Sequence, residues 1–340
     1  MDLSKRMKPV KKEAAFELEN KYVWGASVVK GANGKYYMFA DVWDREVPFH
    51  PGWLVDSRIV LAVSDVPEGP YRYERILFGQ RGNMYWDGMS VFNSHVINYK
   101  GKYVMFYTGT THPFSKKYIK ENLNDAARVA RANKRIGIAV CDTPDGEWKR
   151  FNKPLIDINP MGFDNFLTTN AAPCIMENGD ILVIFKTRSY LKDNGGIIDL
   201  HSDMQFNACI LDKDTYEIKY RGDKPLFGNI SLEDPFVWRE DNKYYMIAKD
   251  MTGKICGERQ SGIFAESEEG LEWNLHYGEK SYVRTVKCED GSEKVLGNME
   301  RPFILFENGK MTDIYFASSD GNGHGFDGMT KSFNMCIGLK

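Results

Sequence analysis

Ser231-Leu-Glu-Asp-Pro-Phe-Val-Trp238 runs into the polar turn Arg239-Glu-Asp-Asn242 and then into Lys243-Tyr-Tyr-Met-Ile-Ala248. Two aromatic and β-branched runs joined by a short Asp/Asn turn read as an antiparallel hairpin. Pro235 suits the first residue of a strand, where no ladder donor is lost. That placement puts Glu233 and Asp234 at the mouth of the strand.

The phrase returns as Asn298-Met-Glu-Arg-Pro-Phe-Ile-Leu305, then Phe306-Glu-Asn-Gly309 and Lys310-Met-Thr-Asp-Ile-Tyr315. Its hairpin turn and second strand occur five times, starting at Gly34, Gly101, Gly179, Asn242 and Gly309. A third element also repeats. Arg58-Ile-Val-Leu-Ala-Val-Ser-Asp-Val-Pro-Glu-Gly-Pro-Tyr71 matches Arg135-Ile-Gly-Ile-Ala-Val-Cys-Asp-Thr-Pro-Asp-Gly-Glu-Trp148, and the Pro-x-Gly-x-aromatic phrase is turn chemistry leading into a fourth strand. Five copies of a four-stranded antiparallel unit predict an all-β, five-bladed β-propeller. One domain over residues 22–340 follows, with residues 1–21 set apart as an N-terminal arm that could pack on a neighbouring subunit.

Topology then sorts the loops. The tight hairpins lie at one face, and the long loops between second and third strands (41–57, 109–134, 187–205, 250–261 and 318–332) gather at the other. Long loops on a rigid scaffold are where function usually sits. The second of them carries Lys116, Lys117, Lys120, Arg128, Arg131, Lys134 and Arg135, which read most simply as solvated charge. A basic rim for an anionic substrate is the alternative.

The 340 residues carry a net charge of −2, which argues against a general nucleic-acid or membrane-surface binder. No apolar run approaches the roughly 18 residues of a membrane helix, and Met1 to Lys12 lead into no signal-peptide core. The chain reads as cytoplasmic as it stands, and as periplasmic or secreted if a leader has been removed. Six dispersed cysteines read as reduced, buried thiols. No Cys/His cluster has zinc spacing, so no cofactor is required, although a divalent metal at the propeller axis stays open.

First strands are innermost in a propeller, so their mouths converge. Asp87, Glu233, Asp234 and Glu300, with Arg301, are expected around one funnel. Paired carboxylates serve glycosidic bond cleavage, one protonating the leaving oxygen while the other activates water or attacks the sugar. Glu233 or Glu300 is the candidate acid and Asp87 or Asp234 the candidate base. Trp24, Trp53 and Trp86 can stack on sugar faces, or simply pack. Asn170, Lys186, Arg188, Lys249 and Asp250 are candidate polar contacts on the same face. Of the loop histidines His50, His112, His201 and His324, the last sits in a glycine-rich loop able to approach a ligand. His95 falls inside a strand and reads as core.

With Trp86-Asp87, Glu233-Asp-Pro-Phe236, Glu300-Arg-Pro-Phe303 and the Ser-Asp-x-Pro-x-Gly turns, the chain resembles the five-bladed propeller glycoside hydrolases of families 43, 32, 62 and 117. The resemblance spans about residues 22–340. It implies a carbohydrate substrate, polysaccharide degradation and, in family 43, an Asp base, a modulating Asp and a Glu acid at the first three blades. Here the first and third blades open with Trp24-Gly-Ala-Ser and Thr169-Asn-Ala-Ala, so only Asp87 falls near an expected position and the acid chemistry moves to blades four and five. The helical arm and recruited histidine of family 117 are further points of likeness. The expectation is a hydrolase acting on a terminal glycosidic bond. Two alternatives stand beside it: a family 130-like phosphorylase, which would gather Arg, Lys and His around an anion, and a catalytically silent sugar-binding propeller.

Overall fold

The computed structural model describes all residues except 12–13, 194–195, 200, 322 and 324, with the backbone alone at 192–193 and 196–199. Five four-stranded antiparallel sheets form the ring. Blade one comprises Lys21–Lys30, Tyr36–Asp44, Arg58–Ser64 and Arg72–Phe78; blade two, Ser90–Tyr99, Lys102–Thr110, Arg135–Cys141 and Lys149–Arg150. Blade three is Leu167–Ile175, Ile181–Arg188, Gln205–Leu211 and Ile218–Arg221; blade four, Leu232–Glu240, Lys243–Asp250, Gly262–Ser267 and Asn274–Leu275. The propeller expectation holds.

Burial explains the sequence pattern. Inner strands are covered on both faces by neighbouring blades, so Tyr36–Asp44 and Ile181–Arg188 read as continuous apolar runs rather than alternating ones. The outer strand Arg72–Phe78 is exposed along most of its length and charged. At the repeated hairpin turns, Gly34, Gly101, Gly179 and Gly309 have φ of 74–87°, and blade four places Asn242 there at 65°. Asn is the side chain that best tolerates this region.

Blade five is built from both ends of the chain. Asn298–Glu307, Lys310–Ser319 and Ser332–Gly338 supply three strands. The fourth is Ala15–Phe16, paired with Met335 and Asn334. Bridges Met7 to Leu339 and Val10 to Cys288 fix the preceding segment, and Leu3 is fully buried. Of the arm drawn at residues 1–21, Leu3 and Val10 are bonded to the segment between blades four and five, and Ala15–Phe16 complete the blade-five sheet of the same chain.

Every first strand carries a β-bulge near its start: after Trp24, Phe92, Thr169, Glu233 and Glu300. Pro235 sits in one of these bulges, where its missing N–H costs the ladder nothing. The strand itself begins at Leu232, so Glu233 and Asp234 lie inside it rather than before it. The five loops between second and third strands all send side chains into one central cavity, among them Phe49, Arg131, Met204, Gln260 and Phe326. In blade two this loop forms helices Lys116–Glu121 and Leu123–Ala132, and Ala126, Ala127 and Ala130 pack against Leu54 and Val55 of blade one. All six cysteines are free, five of them buried.

Candidate active site

The bulges set the floor of the cavity. Asn93, Asn170, Asp234 and Arg301 occupy the bulge in blades two to five with φ of 53–57°. This conformation is costly for a non-glycine residue unless neighbours hold it, and here they do so around the axis. Asn93 Nδ2 donates to Asn170 Oδ1 at 2.6 Å, and Asn170 Nδ2 donates to Asp234 Oδ1 at 2.5 Å. The Arg301 backbone N–H donates to Asp234 Oδ2 at 3.2 Å. Asp41 accepts the Asn93 N–H on both oxygens at 2.9 Å. In blade one the bulge residue is Gly25, whose Cβ would lie 3.2 Å from Arg301 Cγ and Nε and 3.3 Å from Asp41 Oδ2. The missing side chain leaves the space that Arg301 fills.

One residue earlier in each inner strand stand Trp24, Phe92, Thr169, Glu233 and Glu300, opposite Asp41, Thr108, Lys186, Lys249 and Ala317. This second layer holds both cavity glutamates and the two lysines that contact them. Lys249 Nζ is 2.8 Å from Glu233 Oε2, 2.8 Å from Glu300 Oε1 and 3.9 Å from Asp234 Oδ2. Lys186 pairs with the other oxygen of Glu233. Oxygens of the three carboxylates lie within 4.8 Å of one another.

Environment separates the two glutamates. Burial pushes Glu233 up, but Lys186 and Lys249 outweigh it and hold the carboxyl well below the usual range. Burial also raises Glu300; Lys249 offsets part of this, while Asp234 and Glu233 add to it, and the net shift is upward. Burial lowers Lys249, yet Glu233, Glu300 and Asp234 prevail and raise it well above an ordinary lysine. Carboxylates grouped this way could hold a divalent ion, but the Lys249 ammonium already contacts all three. Their geometry fits an internal cation in that place.

Asp41 is the fourth buried acid. Burial pushes it up to about 7, against the lowering effect of the Asn93 N–H and Arg301. A carboxyl with a raised native pKa stabilises the fold fully below its unfolded value, and that contribution is lost as pH rises to the native one. Between about pH 4 and 7, wild-type stability is therefore expected to fall relative to Asp41→Asn by roughly 1.4 kcal/mol per pH unit. Urea denaturation of both proteins across that window checks it, and parallel curves would dismiss the effect.

Several expected site residues are here and several are not. Trp24, His50, Trp53, Asn170, Arg188, Glu233, Asp234, Lys249, Glu300 and Arg301 all border the cavity. Asp87 does not. It is fully buried beneath blade two, bound by Arg81 Nε at 2.8 Å, Tyr107 Oη at 2.8 Å and Arg150 at 3.3 Å. Trp86 packs flat on Tyr107 between blades one and two, in space left by Gly137, and donates its indole N–H to Phe151 O. Both residues anchor the loop before blade two and neither lines the central cavity. Asp250 is likewise buried, accepting the backbone N–H groups of Thr252, Gly253, Ile255 and Cys256 to shape its loop.

His324 lies outside the described residues. His201 bonds Arg188 at 2.7 Å, His112 is buried against Phe114, and His95 is core as expected, stacked on Phe236. Sequence reasoning did not single out Asp41 or Asn93. A count would have found Asn93, which precedes its hairpin residue Gly101 by eight, as Asp234 precedes Asn242 and Arg301 precedes Gly309. The basic loop divides: Lys116, Lys117, Lys120 and Arg128 are exposed, whereas Arg131 and Lys134 turn into the cavity.

No protein-family profile and no curated protein sequence matches the chain. Solved structures do. A thermostable family-43 glycoside hydrolase shares 16% identity at a TM-score of 0.64, over 98% of this chain and 93% of the other. A family 117 glycoside hydrolase produced by the marine bacterium Zobellia galactanivorans gives 15% and 0.65, over 98% and 89%. The endo-arabinase from Bacteroides thetaiotaomicron VPI-5482 gives 14% and 0.61, over 98% and 97%. At these identities the likeness is one of fold.

Proposed function

We propose that the protein is a glycoside hydrolase that cleaves a terminal glycosidic bond, with Glu233 as nucleophile and Glu300 as acid and base. One observation carries the reading: two glutamates share a single cavity, and their surroundings displace their acidities in opposite directions. Such a split is how one site keeps one carboxyl ionised and another protonated. The fold's neighbours among glycoside hydrolases support it. The cavity of about 220 Å³ is closed below by the bulge residues and walled by Trp24 and Trp53, which suits the end of a glycan rather than its middle.

In the first step a Glu233 oxygen attacks the anomeric carbon while the glycosidic C–O bond breaks and the Glu300 proton passes to the leaving oxygen. In the second, ionised Glu300 takes a proton from water, whose oxygen displaces Glu233 from the same carbon. Lys249 keeps Glu233 charged before attack and compensates Glu300 once it has given up its proton. Asp234, tied to Asn170 and Arg301, positions the floor.

The nearest oxygens of the two carboxyls approach within 4.8 Å, which supports a short separation of about 5–5.5 Å, as in retention, over the roughly 6.5–9.5 Å that admits a water for inversion. The product is expected to emerge with the substrate's anomeric configuration. Proton NMR of freshly released sugar, read before mutarotation, checks this. An inverted first product would remove Glu233 as nucleophile. The hydrolytic reading itself is tested by a panel of glycans scored for released reducing ends, and no release from any of them would favour a binding propeller.

A further inference from the structure

The cavity is lopsided in charge. Its acids, Asp41, Glu233, Asp234 and Glu300, belong to the inner strands of blades one, four and five, where Lys249 and Arg301 already answer them. On the side of blades two and three stand Arg131, Lys134, Lys186 and Arg188; Glu233 faces the first three, and Asp234 also acts on Lys186.

Lys134 is the most telling of these. It is 2% exposed, and its ammonium sits 5.2 Å over the Trp53 ring. Among the described residues no carboxylate lies within ion-pair distance of it. Burial pulls it well below an ordinary lysine, and Lys186, Arg131 and Arg188 add their repulsion. Arg131 is held beside it by the last turn of the helix Leu123–Ala132. A buried ammonium without a counter-charge is expensive and is normally paired or neutralised. Gathering further cations around one makes sense when the partner arrives with the ligand.

We infer that the blade two–three half of the cavity is a subsite for an oxyanion, seated by Arg131 and Lys134 beside Glu233, and carried by the sugar itself as a uronic carboxylate or supplied as free phosphate. The inference rests on the sugar occupying this cavity, and it adds the class of sugar or co-substrate. Trp53, with Lys134 over its ring, would meet the apolar face of a sugar whose charged arm reaches the cations.

The test is calorimetric titration at fixed ionic strength, using glucuronate and galacturonate, the neutral sugars glucose and galactose, and inorganic phosphate. It is run on the wild type and on Glu233→Gln, so that binding is read apart from turnover. A charge-assisted hydrogen bond predicts uronates at least about tenfold tighter than their neutral counterparts. Lys134→Met and Arg131→Gln should each abolish that preference and leave neutral-sugar binding in place. Arg131→Gln, nearer the surface, serves if Lys134→Met fails to fold. Phosphate bound by the wild type and lost in both variants, with uronates no tighter than neutral sugars, assigns the same subsite to free phosphate. If neither anion binds better than neutral sugars, or if the preference survives both substitutions, the subsite is refuted. Anion binding in a protein that releases no reducing ends would instead refute hydrolysis and leave the subsite standing.

Discussion

Replacing Glu233 with Gln is expected to lower kcat on the order of 10³-fold or more, because the proposed nucleophile is gone. The substitution is nearly isosteric, so the fold and the Lys249 contacts to Glu300 and Asp234 should persist. Small nucleophiles such as azide, offered to Glu233→Ala, should restore part of the rate by attacking from the vacated side. Glu300→Gln should behave differently. It should cost about 10²–10⁴-fold on natural leaving groups and far less on an aryl leaving group that departs without a proton. In the wild type, activity should fall toward acid as Glu233 is protonated, and toward alkali as Glu300, whose pKa is raised, loses its proton. The alkaline limb should vanish in Glu300→Gln when an activated substrate is used. Full activity of Glu233→Gln on a good substrate would end the nucleophile assignment.

Lys249→Met should be the most damaging substitution for stability in the cavity. The side chain is 3% exposed and its ammonium contacts three carboxylates, so its removal leaves Glu233, Asp234 and Glu300 buried against one another. Removing one partner of a buried ion pair costs about 3–5 kcal/mol. The sign of the pH effect follows from the carboxyls. In the wild type, Glu233 is depressed, so its stabilisation is present at neutral pH and fades as pH falls. Without Lys249 the crowded acids would be raised instead, and their cost would grow as pH rises. The gap between variant and wild type should thus be wide at pH 7 and narrow near pH 4. Chemical denaturation at both values measures it; a loss under about 1 kcal/mol at pH 7 would mean that the acids find another counter-charge.

The ring of blades was readable because each hairpin is local: a polar turn flanked by aromatic runs announces itself within a dozen residues. The acids at Glu233 and Glu300 followed from the repeat, since their phrases align without gaps. Blade two misled because Trp86-Asp87 resembles an acidic strand mouth, while its true counterpart, Phe92-Asn93, carries no charge. The bulge decides the matter, and a bulge is a property of pairing rather than composition. Asp41 and Lys249 gain their meaning from strand register, which places each across from a residue of the first strand. Lys134 looked solvated because nothing in a basic helical segment says which of its charges will turn inward. The pairing of Ala15–Phe16 with Asn334 and Met335 was illegible for a simpler reason: two residues carry no periodicity.

That last pairing ties the two ends of the ring together. Ala15–Phe16 leave the ribosome long before their partner strand Ser332–Gly338 and must wait for it. A nascent chain stopped after blade four would possess Glu233 and Lys249 but neither Glu300 nor Arg301, and its unpaired sheet edges would stand open on both sides. The sheet that receives Ala15–Phe16 is also the one that carries Glu300, so the clasp and the proposed reactive pair depend on the same blade.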